Sequence, residues 1–185
     1  EDKRGDIWIC TEGGGLNYLN RKTRLFTHYL AGEHSSGPSF YNLKCIEYDP
    51  VRDCIYVGTH KQGFFCFDIP TRKIKYHTED AGTSLSKITL RGDSLYILSS
   101  KGMLVKNLQT GTTGYLYPSI QETRGGGSSF LIDSKKHIWI AQHKQIVRIN
   151  MQKPEEKYIY KYGEKGLGKF QVLEMAEYPD GTLYL

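Results

Sequence analysis

No run of apolar residues in this 185-residue chain is longer than four, as in Phe64–Phe67 and Ile138–Ala141. A helix that crosses a bilayer needs about 20, so no membrane contact is expected of this segment. Basic residues are in mild excess, 25 against 20 acidic for a formal charge of +5, but no five of them are consecutive. That pattern gives no nucleic-acid footprint, although a modest excess gathered on one face could still meet an acidic substrate. Proline is scarce at 6 residues, and the 38% hydrophobic, 24% charged balance is that of a globular chain, which excludes collagen-like and disordered classes. Residues 1–6 are charged and lead straight into structured sequence, so no signal peptide is expected here. A secreted parent stays open. Sustained 3.6-residue periodicity is missing as well, which predicts very little helix.

Chemistry-bearing motifs are equally sparse. No GxSxG, HExxH or EF-hand pattern occurs, and the glycine clusters Gly13–Gly15 and Gly125–Gly127 are not followed by Lys-Ser/Thr or by a helix. They read as turns that need positive φ. The carboxylates Glu47 and Glu174 fall on strand-like segments near a channel, with nothing in the sequence to pair them. No catalytic residue, metal ligand or cofactor is expected. The four cysteines, Cys10, Cys45, Cys54 and Cys66, form no CxxC pair and have no His at zinc spacing. Three lie in apolar strand-like runs and read as small buried hydrophobes. Cys45 and Cys54 flank a turn and can approach one another, but an antiparallel register centred on Val51 pairs Cys45 with Val57 instead.

What the chain has in abundance is tyrosine, 14 residues against 7 Phe and 2 Trp, which suits half-buried sheet surfaces. It also repeats itself. Asp6-Ile7-Trp8-Ile9-Cys10-Thr11 returns as Cys54-Ile55-Tyr56-Val57-Gly58-Thr59, as Ser94-Leu95-Tyr96-Ile97-Leu98-Ser99, as His137-Ile138-Trp139-Ile140-Ala141-Gln142, and finally as Thr182-Leu183-Tyr184-Leu185. The aromatic positions 8, 56, 96, 139 and 184 are 48, 40, 43 and 45 residues apart, a period of about 44. Such a period with several strands per unit is propeller spacing.

Each unit reads as four antiparallel strands. The first is Leu43–Tyr48, Lys87–Leu90, Ser129–Ile132 or Val172–Tyr178. A turn rich in Asp, Gly and Pro leads to the aromatic-bearing second strand. The third is Leu16–Leu19, Phe64–Phe67, Leu104–Leu108 or Ile146–Ile149. The fourth and most polar is Phe26–Tyr29, Ile74–His77, Gly114–Tyr117 or Tyr158–Tyr162, as expected of an outer edge that faces water. The predicted fold is therefore all-β, about four four-stranded propeller blades over residues 1–42, 43–84, 85–127 and 128–169, with a partial unit at 170–185. The first unit lacks its first strand, and the last supplies a second-strand segment that duplicates Ile7–Ile9. This duplication predicts an arc of a larger ring of seven or eight blades rather than a closed four-bladed one.

The stretch Glu1 to Asn20, with Gly5-Asp6-Ile7-Trp8-Ile9-Cys10-Thr11 followed by Gly13-Gly14-Gly15-Leu16-Asn17, resembles the two-component regulator propeller repeat. That family's pattern is an Asp, a Gly turn, Leu/Ile-Trp-Ile-Gly-Thr and then Gly-Gly-Leu-Asn. Thr23-Arg24-Leu25-Phe26-Thr27-His28-Tyr29 resembles its Thr-x-x-Phe-x-x-Tyr ending, and the second unit keeps Asp49, Tyr56-Val57-Gly58-Thr59 and Gly63. Units three and four depart from it: Arg91-Gly92 stands where the Asp is expected, and Ala141-Gln142 replaces Gly-Thr. WD-type and kelch-type repeats fit worse, since neither a Trp-Asp pair nor equivalent glycine doublets occur. The resemblance implies a periplasmic sensor region of a hybrid histidine kinase from gut Bacteroidetes, responding to polysaccharide fragments. It further implies an adjacent β-sandwich domain, more blades and a homodimeric parent. A non-signalling interaction scaffold and a polysaccharide lyase are the alternative readings.

In propellers the loops from fourth to next first strand share a face with the second-to-third turns. The interblade loops 30–42, 78–86, 118–128 and 163–169 are long and variable, so this face is the expected ligand or partner surface. It carries Glu33, His34, Tyr41, Glu79, Asp80, Arg124 and Lys165, and, on the turns, Glu12, Lys101 and the matching triads His60-Lys61-Gln62 and His143-Lys144-Gln145. The triads and Arg124 are the candidate ligand-binding residues, able to hydrogen-bond a hydroxylated or anionic oligosaccharide. The recurring Trp8, Tyr56, Tyr96, Trp139 and Tyr184 are expected to pack between blades instead.

Overall fold

A computed structural model describes residues 1–29, 42–78, 84–118, 128–165, 167–169 and 171–185. Seventeen strands and no helix occur among them. The first sheet holds β1 (Ile7–Thr11), β2 (Gly15–Asn20) and β3 (Leu25–Tyr29). The second holds β4 (Leu43–Asp49), β5 (Cys54–Thr59), β6 (Phe64–Asp68) and β7 (Lys73–Thr78). The third holds β8 (Leu85–Arg91), β9 (Ser94–Ser99), β10 (Gly102–Asn107) and β11 (Thr113–Pro118). The fourth holds β12 (Ser129–Ile132), β13 (His137–Ala141), β14 (Gln145–Asn150) and β15 (Lys153–Lys161). A two-stranded sheet of β16 (Ala176–Glu177) and β17 (Leu183–Tyr184) follows. Every sheet is an antiparallel meander in chain order, so these are propeller blades, numbered one to five below.

The alternation of polarity across a blade follows from burial. β5, second in its sheet, is buried at all six positions, because both of its faces are covered. β3 and β15, at the outer edge, are mostly exposed. The core is divided among the interfaces between blades. Trp8, Leu16 and Tyr18 of blade one pack on Val57, Phe65 and Phe67 of blade two. Tyr56 and Phe64 of blade two pack on Ile88, Leu95 and Ile97 of blade three, and Tyr96 and Leu98 of blade three on Phe130, Ile138 and Val147 of blade four. The expected interblade role of the aromatics is what the structure shows for Trp8, Tyr56 and Tyr96, with Trp139 half-buried. Tyr184 is 55% exposed, its ring tilted against that of Tyr178 at 5.1 Å.

A recurrent device anchors these aromatics. Asp2 accepts hydrogen bonds from Trp8 Nε1 (3.0 Å) and the Arg4 amide, and Asp133 accepts from Trp139 Nε1 (2.8 Å) and the His137 amide. Asp49, wholly buried, holds the Val51 and Arg52 amides (both 2.9 Å) and the Tyr56 hydroxyl (3.4 Å). One carboxylate thus fixes the first-to-second turn and satisfies the polar end of the buried ring. In blade three, β8 continues through Arg91, which pairs with Ser94 across a two-residue turn, and Tyr96 bonds Ser94 instead.

Three expectations change. The fifth unit's first strand, predicted over Val172–Tyr178, pairs only at Ala176–Glu177, because Val172 and Met175 pack on Ala141 and Ile146 of blade four. The fourth strand of blade four begins at Lys153 rather than Tyr158, since a turn of only Met151 and Gln152 lets pairing resume early. Cys45 lies opposite Gly58, not Val57: Asp49 pairs with Cys54, so the hairpin centres between Val51 and Arg52. All four cysteines are free thiols.

Candidate functional site

The second-to-third turns are built alike, which gives their side chains equivalent places. Thr11, Thr59 and Ser99 end the second strands and donate hydroxyl hydrogen bonds to the carbonyls of Gly15, Gly63 and Gly102 (3.1, 2.8 and 3.2 Å). Those glycines have φ of 68°, 68° and 115°, where a side chain would be strained. Blade four uses Gln142, whose Oε1 accepts from Gln145 Nε2 at 2.8 Å.

The two triads therefore occupy equivalent turns, of blades two and four, with blade three between them. Their surroundings differ. His60 donates its amide to Asn42 O (2.9 Å), and its Nδ1 is buried without a partner among the described residues. Gln62 is tied down, its amide on Thr59 Oγ1 (2.8 Å) and its carbonyl accepting from His77 Nε2. Beside them Lys44 Nζ bonds Glu12 Oε1 at 2.6 Å, which holds the Glu12 carboxyl below its ordinary range. In blade four, His143 Nδ1 meets Gln171 Oε1 at 3.2 Å, and Lys144 is exposed. Lys61, Lys101 and Lys165 are exposed too. Arg124, Glu33, His34, Tyr41, Glu79 and Asp80 lie outside the described residues.

Gln171, which His143 meets, also borders a second feature that the sequence does not announce. Gln171, Val172, Leu173, Glu174 and Leu185 line a cavity of about 350 Å³. Glu174 Oε1 receives Lys87 Nζ (2.5 Å) and Ser129 Oγ (2.8 Å), and Lys87 Nζ also bonds Ser129 Oγ at 3.2 Å. Burial alone would raise the Glu174 carboxyl, but Lys87, the Met175 amide and Ser129 outweigh it and hold it low. The innermost segments of blades three, four and five are thus joined by one charged network. Glu47 is separate: its Oε1 accepts from the Leu90 amide at 2.8 Å, and burial pushes its carboxyl up. Lys87 therefore bonds Glu174 directly and acts on Glu47 only through its charge. The signal for the network was Lys87, Ser129 and Glu174 at matching places on first strands, legible only once those strands stand side by side.

No protein-family model matches the sequence, and no curated protein matches it. Solved structures do resemble the fold. The extracellular domain of the hybrid two-component system BT3049 from B. thetaiotaomicron superposes on 96% of this chain with a TM-score of 0.72 at 20% identity. That of BT4673 from the same organism covers 95% with a TM-score of 0.72 at 19% identity. PorZ, a surface component of the type-IX secretion system of Porphyromonas gingivalis, covers 95% with a TM-score of 0.65 at 13% identity. The chain spans 23%, 25% and 29% of those three structures. At such identities the likeness is one of fold, shared by proteins with different tasks.

Proposed function

We propose that this chain is an arc of an extracytoplasmic sensor propeller of the hybrid two-component type, which binds glycan fragments on its loop face and performs no chemistry. The observation that carries the reading is the superposition of 96% of the chain on the extracellular domain of such a system, with the chain amounting to 23% of that domain. The repeat of Asp, aromatic strand and Gly-bearing turn supports it independently. On this reading the parent is a periplasmic homodimer with a histidine kinase beyond the membrane. Ligand bound between the turns and interblade loops changes how the propeller packs on a neighbouring β-sandwich, and so biases a two-state dimer. His60, Lys61, Gln62, Arg124, His143, Lys144 and Gln145 are its proposed contacts.

The test is thermal unfolding of the complete parent propeller with neutral and anionic oligosaccharides. A ligand that binds only the folded state, at 100 times its Kd, adds about 2.7 kcal/mol. A shift of several degrees with one glycan class and no product released is the expected result. Flat curves across the panel overturn it and favour a protein-contacting scaffold. Release of unsaturated sugar products overturns it in favour of a lyase.

A further inference from the structure

The blade interfaces are not filled equally. In each blade a cross-strand row faces the next blade: Trp8, Tyr18 and Thr27 in blade one, and Tyr56, Cys66 and Tyr76 in blade two. In blade four the row is Trp139, Arg148 and Tyr158. Blade three has Tyr96, Val105 and Gly114, the smallest set. The third-to-fourth turn of the following blade closes the space above each row. In blade two that turn places Arg72 over Trp8, Tyr18 and Tyr29, its guanidinium carbon 5.1, 4.5 and 5.8 Å from the ring centroids. In blade three it sends Leu108 against the blade-two core. Blade four has only Met151 and Gln152 in this turn. A small row and a short turn coincide at one interface, and a groove of about 500 Å³ remains there. That volume lies in the range of small-ligand sites.

Tyr96, Val105, Gly114 and Met151 supply the groove's apolar surface, and Ser94, Asn107 and Thr113 its hydroxyl and amide groups. None of its lining residues is charged. An anion entering it would lose hydration without gaining a counter-charge, whereas a ring with C–H faces and peripheral hydroxyls can use both kinds of surface. We infer that the groove between blades three and four is a binding site for a neutral pyranose sugar. It lies toward the first-to-second and third-to-fourth turns, at the opposite ends of the strands from the loop face, and stands independently of the reading given to that face.

Gly114 supplies the decisive variant. A Cβ at that position meets nothing within 4 Å and the backbone does not need glycine there, while blades two and four carry Tyr76 and Tyr158 in the equivalent place. Gly114→Tyr should fill the groove without disturbing the blade. The 185-residue chain is titrated with methyl α-D-glucopyranoside, methyl β-D-galactopyranoside and D-glucuronate, followed by saturation-transfer NMR and by calorimetry. Saturable binding of at least one of the two glycosides and none of glucuronate is expected. Gly114→Tyr should weaken that binding about tenfold or more, equivalent to ~1.4 kcal/mol, at unchanged Tm. Thr113→Ala, at an exposed position, should weaken it in the same direction, and Lys22→Ala, on an exposed turn of blade one, should leave it alone. Failure of both glycosides to bind a folded chain, binding that survives Gly114→Tyr and Thr113→Ala alike, or equal binding of glucuronate overturns the assignment. A loss with Lys61→Ala alone would instead return the sugar to the loop face.

Discussion

Asp133 shows how much one side chain decides in this protein. Its Oδ1 accepts the His137 amide (2.7 Å), and its Oδ2 accepts from Trp139 Nε1 (2.8 Å) and lies 3.1 Å from His137 Nδ1. Burial opposes the charged carboxylate, but the bonds from Trp139 and His137 outweigh it and lower its pKa from 3.8. A depressed carboxyl stabilises the fold above its unfolded value, and that contribution fades as the pH falls from 3.8 through the lower folded value. Asp133→Asn keeps one acceptor but turns an N–H2 toward the indole N–H or the His137 amide. It should cost about 1–3 kcal/mol near neutral pH, read as a lower Tm, and the variant should approach the parent protein in acid. A constant difference across the whole range would mean that packing, not the charged hydrogen bonds, holds Trp139.

At the scale of the strand, close approach rather than propensity explains where glycine sits. A Cβ on Gly58 would lie 2.5 Å from Cys45 Sγ and 3.1 Å from Leu85 Cβ. Cys45 faces Gly58 across β4 and β5, and Leu85 comes from the next blade. The half-buried Cys45 thiol, pushed up to about 12 by burial, packs here as a small apolar filler. Gly58→Ala should therefore destabilise by about 1–3 kcal/mol. Adding Cys45→Ala should restore part of that loss, so that the double variant is less destabilised than the sum of the two by about 0.5 kcal/mol or more in chemical denaturation. Strict additivity would place the strain at Leu85 alone.

Across the molecule, blades are coupled through their cores and through the first-to-second turns. Lys3 Nζ reaches Asp53 Oδ2 of the next blade (3.0 Å), Arg52 Nη2 reaches Asp93 Oδ1 (2.5 Å), and Ser134 Oγ donates to Glu177 Oε1 (2.6 Å). These surface links fix how blades sit but add little energy each. In an array where each unit contacts only its neighbours, stability is greatest where both faces are covered. Amide hydrogen exchange should be slowest in β5 and β9 and fastest in β16 and β17, where only two residues pair on each strand. Uniform exchange across all five sheets would show that the blades open as a single unit.

Sequence alone was enough for the four-stranded antiparallel blades, their strand order and the interblade role of Trp8, Tyr56 and Tyr96. Those follow from a 44-residue period, from alternation within each strand and from turn residues, all of which are local. It also marked Gly13–Gly15 as a turn that needs positive φ, though not the bonds that join Thr59 to Gly63 or Ser99 to Gly102. Asp133 was legible in principle, six residues before Trp139 as Asp2 is before Trp8, but its purpose depends on where the indole N–H points. The register of Cys45 turned on half a residue in a hairpin, below what turn chemistry resolves. Only the tertiary structure brought Lys87, Ser129 and Glu174 together, because they come from three blades and meet only when those blades are set side by side. The groove over Val105 and Gly114 was likewise beyond the sequence, since a void is defined by what a neighbouring blade fails to supply.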